Sequence, residues 1–347
     1  MKTLTVLFLA CLYWLGANAT SWRVNNNPAI QADFATFEAA HDAASPGDTI
    51  YVEGNGLDNH YGLVTISKKL IVIGPGYFLN ENDSTQANTA YARFRSITIN
   101  PGAEGTEIYG LQIFYNGAGF QGIIINASNI IIARNYFQGD RDRIIFGAYN
   151  INNIAILQNF AYDIRGTAGF GANNVLIANN FVFLTIYLNE LSSGTIINNV
   201  VKTSITASYS QIKNNIVYQN TNTYPFGFDF GTGNYIAYNL VNGVLHGGTI
   251  PPDPPGPGNV ANVNPDGVFI DYDGGLGYST DGKWQLNPEG TAVGAGEDGA
   301  DCGMYGGPSP YVLSGMAPIP HIYEAVVPIS GSTTTGLPVT IKVKSQN

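Results

Sequence analysis

The fold is decided by a nine-residue pattern that returns six times along the middle of the chain. The copies are NIIIARNYF (residues 129–137), NIAILQNFA (153–161), NVLIANNFV (174–182), SGTIINNVV (193–201), YSQIKNNIV (209–217) and GNYIAYNLV (233–241). In each copy an Ile precedes an Asn by three positions, and successive Asn residues are 24, 21, 19, 16 and 24 residues apart. A recurrence of about 20 residues indicates a solenoid, in which each turn buries its apolar side against the next.

The spacing inside the repeat is that of a short strand followed by a bend. A β-branched or small residue usually lies two positions before the Ile, so both side chains share one face of the strand. The Asn falls outside this alternation, tolerates unusual backbone angles, and both donates and accepts hydrogen bonds. Because stacked coils are about 4.8 Å apart, each amide reaches the next. We therefore predict a buried asparagine ladder. The alternative, a β-sandwich, would need hairpin turns that the repeat segments lack.

Composition limits the classes of partner. Charged residues make up 12% of the 347 residues, about half the ~25% that is usual. The formal net charge is −10, and basic clusters are missing, which argues against nucleic acid and anionic membranes as partners. We expect a monomer.

The first 19 residues are typical of a secretion signal. Lys2 supplies the positive end, residues 4–15 the apolar stretch, and Ala17-Asn18-Ala19 the cleavage site. No segment is long enough to span a bilayer. A lipid-anchored Cys11 is an alternative, so the chain is expected to be secreted or at the cell surface or in the periplasm. Cleavage would remove Lys2, change the net charge from −10 to −11, and leave Cys302 without an internal disulfide partner.

Residues 20–317 are expected to form one domain. Residues 34–44 (FATFEAAHDAA) have helical spacing and would cap the first coil, with His41 packed in the core. The polar residues 77–92 should project as a loop. Residues 268–284 and 290–307 are expected to be the last coils. Residues 318–347 alternate like strands and would form a C-terminal β cap over the last open edge.

The start of this domain is similar to that of a known superfamily. FEAAHDAASPGDTIYVEGN (residues 37–55), VTISKKLIVIGPG (64–76) and the Asn repeat resemble right-handed parallel β-helices of the pectate-lyase-like, or pectin-lyase-fold, superfamily. The resemblance covers residues 34–307 and implies an all-β right-handed parallel β-helix. It does not fix an activity, because that superfamily includes lyases, hydrolases, epimerases and non-enzymes. The chain lacks the clustered calcium-binding acids of pectate lyases and the Asp-Asp, Gly-His-Gly and Arg-x-Lys set of polygalacturonases.

Charged residues concentrate in one place. The candidate catalytic residues are Asp140, Arg141, Asp163 and Arg165, and the candidate binding residues are Asp142, Arg143, Lys202 and Glu190, with Lys213 on a nearby coil. Arg141 and Arg165 both lie six residues after a repeat Asn, so matching bends would stack them about 5 Å apart. Asp140 and Asp163 would then also be neighbours.

Two enzymatic interpretations and two others remain open. In a polysaccharide lyase, Arg141, Arg143, Arg165 or Lys202 would neutralise a uronate carboxylate while a base removes the adjacent proton. In a glycoside hydrolase, Asp140 and Asp163 would be the carboxylate pair. A surface ladder of salt bridges is the structural alternative. A non-catalytic protein would bind carbohydrate through exposed aromatic residues such as Tyr136, Phe160 and Tyr187.

Metal binding has weaker support. The four His residues lack the spacing of metal ligands, and no metal site is assigned. Asp271, Asp273 and Asp281 lie in an Asp-rich stretch that could hold calcium, but it does not match an EF-hand loop, and ordinary turn acids are the favoured interpretation.

Overall fold

The computed structural model describes residues 19–55, 60–114, 121–139, 142–219, 228–230, 233–242, 257–334 and 336–345. These residues form a parallel β-helix of about eight coils, which confirms the predicted fold class.

Strands are numbered in chain order. Sheet A contains β1 (Ser21–Val24), β2 (Thr49–Val52), β4 (Ile71–Ile73), β7 (Glu107–Tyr109), β10 (Ile130–Ala133), β13 (Ile151–Leu157), β16 (Ala172–Ala178), β19 (Gly194–Ile197), β22 (Gln211–Lys213) and β25 (Tyr235–Ala237). Sheet B contains β3 (Leu63–Ile66), β6 (Ser96–Ile99), β9 (Gln121–Ile125), β12 (Asp142–Phe146), β15 (Asp163–Gly166), β18 (Thr185–Tyr187), β21 (Ser204–Ala207) and β24 (Phe228–Phe230). Sheet C contains β5 (Arg93–Phe94), β8 (Gln112–Ile113), β11 (Tyr136–Phe137), β14 (Phe160–Ala161), β17 (Phe181–Val182), β20 (Val200–Val201), β23 (Ile216–Val217) and β26 (Leu240–Val241).

Each coil visits sheets A, C and B in turn, as in β10, β11 and β12, before β13 begins the next coil. Strands pair in parallel with their equivalents one coil away, so that Ile132 lies between Ile108 and Ile156. The repeated Ile therefore becomes a column in the core. Its buried members include Ile108, Ile132, Ile156, Ile177, Ile196, Ile212 and Ile236. Burying one such side chain contributes roughly 1.5–3 kcal/mol, so the column as a whole is a major stabilising element of the fold.

The predicted asparagine ladder is confirmed. The side-chain Nδ2 of each Asn donates to Oδ1 of the Asn in the next coil, at 2.9–3.1 Å, from Asn135 to Asn239. Each of these amides is fully buried. One further rung, Asn239 to Asn259 at 3.0 Å, was not predicted because the Ile pattern does not reach it.

The bend itself lies one residue earlier than the sequence analysis placed it. At this bend the left-handed backbone angles belong to the residue that precedes the ladder Asn, for example Gln158 (φ 54°) and Asn179 (φ 56°). A non-glycine residue pays about 1–2 kcal/mol for this conformation. The hydrogen bonds made by the side chain of the ladder Asn that follows offset that conformational cost in every coil.

The first coil is capped by α1 (Phe37–Ala43), which is shorter than the predicted residues 34–44. Thr36 caps the N-terminus of the helix by accepting a hydrogen bond from the amide of Ala39. Phe34 instead makes a β-bridge to Val24. His41 is packed in the core as predicted, and its Nε2 accepts a hydrogen bond from the amide of Ser67 at 3.2 Å.

The predicted last coils are wrong. Residues 264–317, called the return segment, run back along the outer face of sheet C with only short 3-10 turns (Pro265–Gly267, Gly282–Trp284, Glu297–Gly299 and Leu313–Gly315). In successive coils, the side chain of the left-handed residue donates a hydrogen bond to a backbone carbonyl of this segment. The bonds run from Asn198 to Asp301 (2.9 Å), Asn179 to Met304 (3.0 Å), Gln158 to Pro310 (2.7 Å) and Arg134 to Met316 (2.7 Å). The apolar outer face of sheet C is covered in this way.

Two further expectations are corrected. Residues 77–92 do not project, because Tyr77 is fully buried and its hydroxyl lies 2.8 Å from that of Tyr311. The C-terminal hairpin, β27 (Pro320–Val326) and β28 (Thr340–Ser345), does not cover the last coil. The amide of Ala87 donates to the carbonyl of Ile322, so the hairpin lies beside the first coils.

Within the part of the chain that the structure describes, no helix is long and apolar enough to cross a membrane. Residues 1–18, which hold nearly all of the predicted signal, lie outside the described ranges.

Candidate functional site

The candidate site lies on the outer face of sheet B. Ile144 and Ile164 point into the core, so their neighbours at alternate positions point outward. Two outward columns result, each with one residue a coil. The first contains Gly122, Arg143 and Asp163, and the second contains Ile145, Arg165, Tyr187 and Thr206.

A buried carboxylate between two guanidinium groups is the centre of this face. Oδ2 of Asp163 accepts a hydrogen bond from Nε of Arg165 at 2.5 Å, and Nε of Arg143 lies 3.1 Å from the same oxygen. The Asp163 side chain is 0% exposed, whereas that of Arg165 is 34% exposed. Burial raises the pKa of Asp163, although Arg165 and Arg143 both act in the opposite direction. Burial also lowers the pKa of Arg143. Asp163 is therefore a counter-ion that positions both guanidinium groups, and Arg165 presents its charge to solvent.

Arg143, Asp163 and Arg165 are together called the clamp. Beside the clamp, at the corner where sheet C leads into sheet B, lies a group of aromatic and cationic side chains. The rings of Tyr162 and Phe183 stack 5.5 Å apart, and Nζ of Lys202 lies 3.8 Å from the centre of the Phe183 ring. Burial lowers the pKa of Lys202. Neither ring was predicted from the sequence as part of the site. A signal was present, because Tyr162, Phe183 and Lys202 each lie three residues after a ladder Asn.

Arg165 pairs with Ile145 in the neighbouring coil, and Arg141, on which it was expected to stack, lies outside the described residues, so that stacking stays a prediction. The stretch between the ladder Asn and the sheet B strand differs in length between the two coils. Arg143 comes eight residues after Asn135, whereas its partner Asp163 comes four after Asn159. Asp140 and Arg141 lie outside the described residues, so their expected proximity to Asp163 stays a prediction.

Of the remaining charged candidates, Asp142 lies beside Arg143 in β12, and the other two lie away from the site. Asp142 is fully buried, and its Oδ2 accepts a hydrogen bond from the amide of Gly139 at 2.8 Å, which closes the turn before β12. Glu190 is exposed in the turn after β18, at the opposite end of the sheet B strands from Asp163. Lys213 lies on sheet A and bonds Glu297 of the return segment at 2.5 Å.

Only one of the three aromatic residues proposed for carbohydrate binding is available. Tyr136 and Phe160 pack under Phe78, with ring centres 4.7 and 5.4 Å away, in the cluster beneath the return segment. Tyr187 is 39% exposed and adjoins Arg165 across the strands.

The Asp-rich stretch has structural partners. Asp271 accepts hydrogen bonds from the amides of Leu276 and Tyr278 in its own loop. Asp281 is fully buried and accepts from the amide of Ser314 at 2.7 Å. No cluster of three or more potential metal ligands occurs in the ranges that the structure describes.

The site and fold define a parallel β-helix protein with a mixed aromatic and cationic face. No protein-family model matches the chain, and no curated protein is significantly similar to it.

Proposed function

We propose that the chain is a secreted protein that binds an acidic polysaccharide along the outer face of sheet B. The observation that carries the proposal is the partly exposed Arg165, fixed by a buried carboxylate and followed in the next coil by the exposed Tyr187. Among the described residues, this site contains three cations (Arg143, Arg165 and Lys202) and two carboxylates (Asp142 and Asp163), on a chain whose formal net charge is −10.

A local excess of positive charge on an acidic protein favours an anionic ligand over a neutral one. Arg165 suits a carboxylate in particular, because its planar guanidinium can form two parallel hydrogen bonds with it. Its orientation needs no reorganisation on binding, since Asp163 already holds Nε.

The columns give the ligand a direction. Residues in one column repeat about every 4.8 Å along the helix axis. An extended sugar chain laid along that axis would meet Arg165, Tyr187 and Thr206 in turn. These side chains offer a charge for a uronate, a ring face for a sugar ring and a hydroxyl for hydrogen bonding.

A polysaccharide lyase is the second candidate. It is favoured by the pair of guanidinium groups, because the exposed Arg165 could neutralise a uronate carboxylate while a base removes the adjacent proton. A glycoside hydrolase acting through Asp163 has less support. That carboxylate is fully buried and held by two cations, which suits a positioning role better than proton transfer to a leaving group.

Titration calorimetry with polygalacturonate, alginate and hyaluronate, and with neutral dextran and xylan, tests the binding function. Wild-type protein should bind a uronate polymer, and binding should weaken as salt is added. Arg165→Gln should weaken it about 10-fold to 100-fold, which corresponds to a lost charge-assisted hydrogen bond. Lys69→Gln, which removes an exposed charge from an early coil, is the matched control. Equal losses in both variants, or binding of the neutral polymers alone, would refute the proposal.

The same mixtures separate binding from lysis. A lyase would release unsaturated ends that absorb ultraviolet light, and Arg165→Gln should abolish their release. Binding without the release of unsaturated ends would support the binding function and argue against the lyase.

A further inference from the structure

The C-terminal hairpin has an apolar face that the rest of the described chain leaves exposed. Its strands β27 and β28 are antiparallel, with Ile322 opposite Val343 and Ala325 opposite Ile341. Directly opposite residues share one face of a sheet, and so do residues two apart in a strand, so these four side chains lie together. Ile322, Ile341 and Val343 are 42%, 55% and 56% exposed.

The opposite face of the hairpin is polar and already has its partners. Glu324 lies opposite Lys342, and their side chains form a salt bridge of 2.7 Å. His321 lies opposite Lys344 and is buried, so the base of this face is the one covered by the rest of the chain. The hairpin therefore presents to solvent the face that a layered fold normally buries against another element.

The exposed apolar surface is large for a monomer. The tip between the two strands adds four apolar residues that are at least 46% exposed, namely Val327, Ile329, Leu337 and Val339. With Ile322, Ile341 and Val343 they leave roughly 700 Å² in contact with water, against the about 800 Å² that one partner buries in a standard interface. The largest apolar patch of a typical monomer is smaller, about 300–600 Å². An isolated two-stranded hairpin is also only marginally stable in water, so a covering layer would stabilise it.

The distribution of charge favours a second copy of the chain as this layer. Residues 318–347 contain two Lys and one Glu, a formal charge of +1, whereas the whole chain carries −10. Repulsion between two copies is therefore weakest where their hairpins meet. An anionic membrane is disfavoured, because Lys342 is paired with Glu324 and the rest of the chain is acidic.

We infer that two copies of the chain pair through the apolar faces of their hairpins. Two such faces would pack as the layers of a small β-sandwich, about 10 Å apart. A two-fold axis through the middle of the face would lay the tip of each hairpin over the base of the other. Beside that base, the half-buried Pro75 and Ile319 extend the apolar surface that would receive the tip. Because both copies use the same patch, the assembly closes at a dimer, in place of the monomer expected from the sequence.

Sedimentation velocity on the full chain tests the inference. The wild-type protein should sediment as a dimer at micromolar concentration. Ile341→Asp would place an unpaired carboxylate in the middle of the interface twice, once from each copy, and should raise the dissociation constant about 100-fold or more. Circular dichroism of the variant should match that of wild type, because Ile341 is 55% exposed in the single chain. Val343→Asp, on the same face, decides should Ile341→Asp fail to fold.

Leu176→Asp is the matched control. Leu176 is 39% exposed on the outer face of sheet A, so this variant adds the same charge to a different apolar surface and should remain a dimer. Arg165→Gln should also remain a dimer, because the hairpin contact is independent of polysaccharide binding on sheet B. A monomeric wild-type protein, or a dimer that dissociates with Leu176→Asp and not with the hairpin variants, would refute the inference. Flotation of a monomeric wild-type chain with phosphatidylcholine vesicles, lost in Ile341→Asp, would assign the face to lipid instead.

Discussion

Replacing Asn180 by Ala in the middle of the ladder should destabilise the whole β-helix. The side chain makes five hydrogen bonds within the buried interior. Its Nδ2 donates to Asn199 Oδ1 and to the carbonyls of Ile156 and Ala178, and its Oδ1 accepts from both the amide and the side chain of Asn159.

The loss of stability depends on which hydrogen-bond partners of Asn180 are left without a replacement bond. Asn159 Nδ2 keeps the carbonyl of Ile132, and the carbonyl of Ala178 keeps the amide of Gln158. The Asn159 backbone amide loses its bond and is left buried, which costs about 1–3 kcal/mol. The small cavity left by the amide adds about 1 kcal/mol. We expect a total loss of about 2–4 kcal/mol.

Urea unfolding followed by circular dichroism measures this loss. Asn152→Ala is the matched control, because Asn152 is exposed and its side chain bonds only Ser128 Oγ, at 3.2 Å, where water can replace it. That control should change stability by no more than about 0.5 kcal/mol. If Asn180→Ala loses no more than the control does, the ladder is not a stabilising element and the reasoning is refuted.

Three further predictions concern the clamp, the return segment and a buried acid. Asp163→Asn should cost about 3–5 kcal/mol in urea unfolding, since it leaves Arg143 and Arg165 close together without their counter-ion; a change below 1 kcal/mol would contradict the clamp. Gln158→Ala removes two bonds to return-segment carbonyls and should speed proteolysis of residues 264–317, whereas unchanged cleavage would show that apolar packing alone holds the segment. Burial raises the pKa of Asp281 above 3.8, so its contribution to stability is complete below that pH and is lost as pH rises through the raised value. The stability of Asp281→Asn relative to wild type should therefore improve as pH rises from about 3.8, and a flat difference across that range would be inconsistent with the raised pKa.

The interior of the coils could be predicted from the sequence because the side chains that form it recur in every repeat. Ile132 and Asn135 lie on either side of a bend, and their period fixes both the core column and the ladder. The left-handed residue before each Asn escaped prediction because its identity varies from Arg134 to Gln158 to Asn179. Its conformation is imposed by the coil and not by the residue type.

The return segment could not be predicted for a related reason. Its contacts with the coils are largely side-chain bonds to backbone carbonyls, as between Gln158 and Pro310, and carbonyls leave no sequence pattern. Residues 268–284 and 290–307 therefore resembled further coils, although they cover sheet C.

The candidate site was predicted in part. Arg143, Asp163 and Arg165 were chosen because charges are scarce in this chain, and the structure brings them together. Their register was not predicted, because the length of the link between sheets C and B changes from coil to coil. Tyr162 and Phe183 were missed because a spacing rule based on strands ignores the corner between two sheets.

Hydroxyl-radical footprinting with mass spectrometry, with and without a bound uronate polymer, tests the functional claim most directly. Tyr187 and Phe183 are both exposed on the proposed face, and the polymer should reduce their oxidation severalfold. Tyr149, which is 49% exposed in the turn that leads from sheet B to sheet A, should be oxidised equally in both samples. Protection of Tyr149 without protection of Tyr187 and Phe183 would contradict binding on the sheet B face.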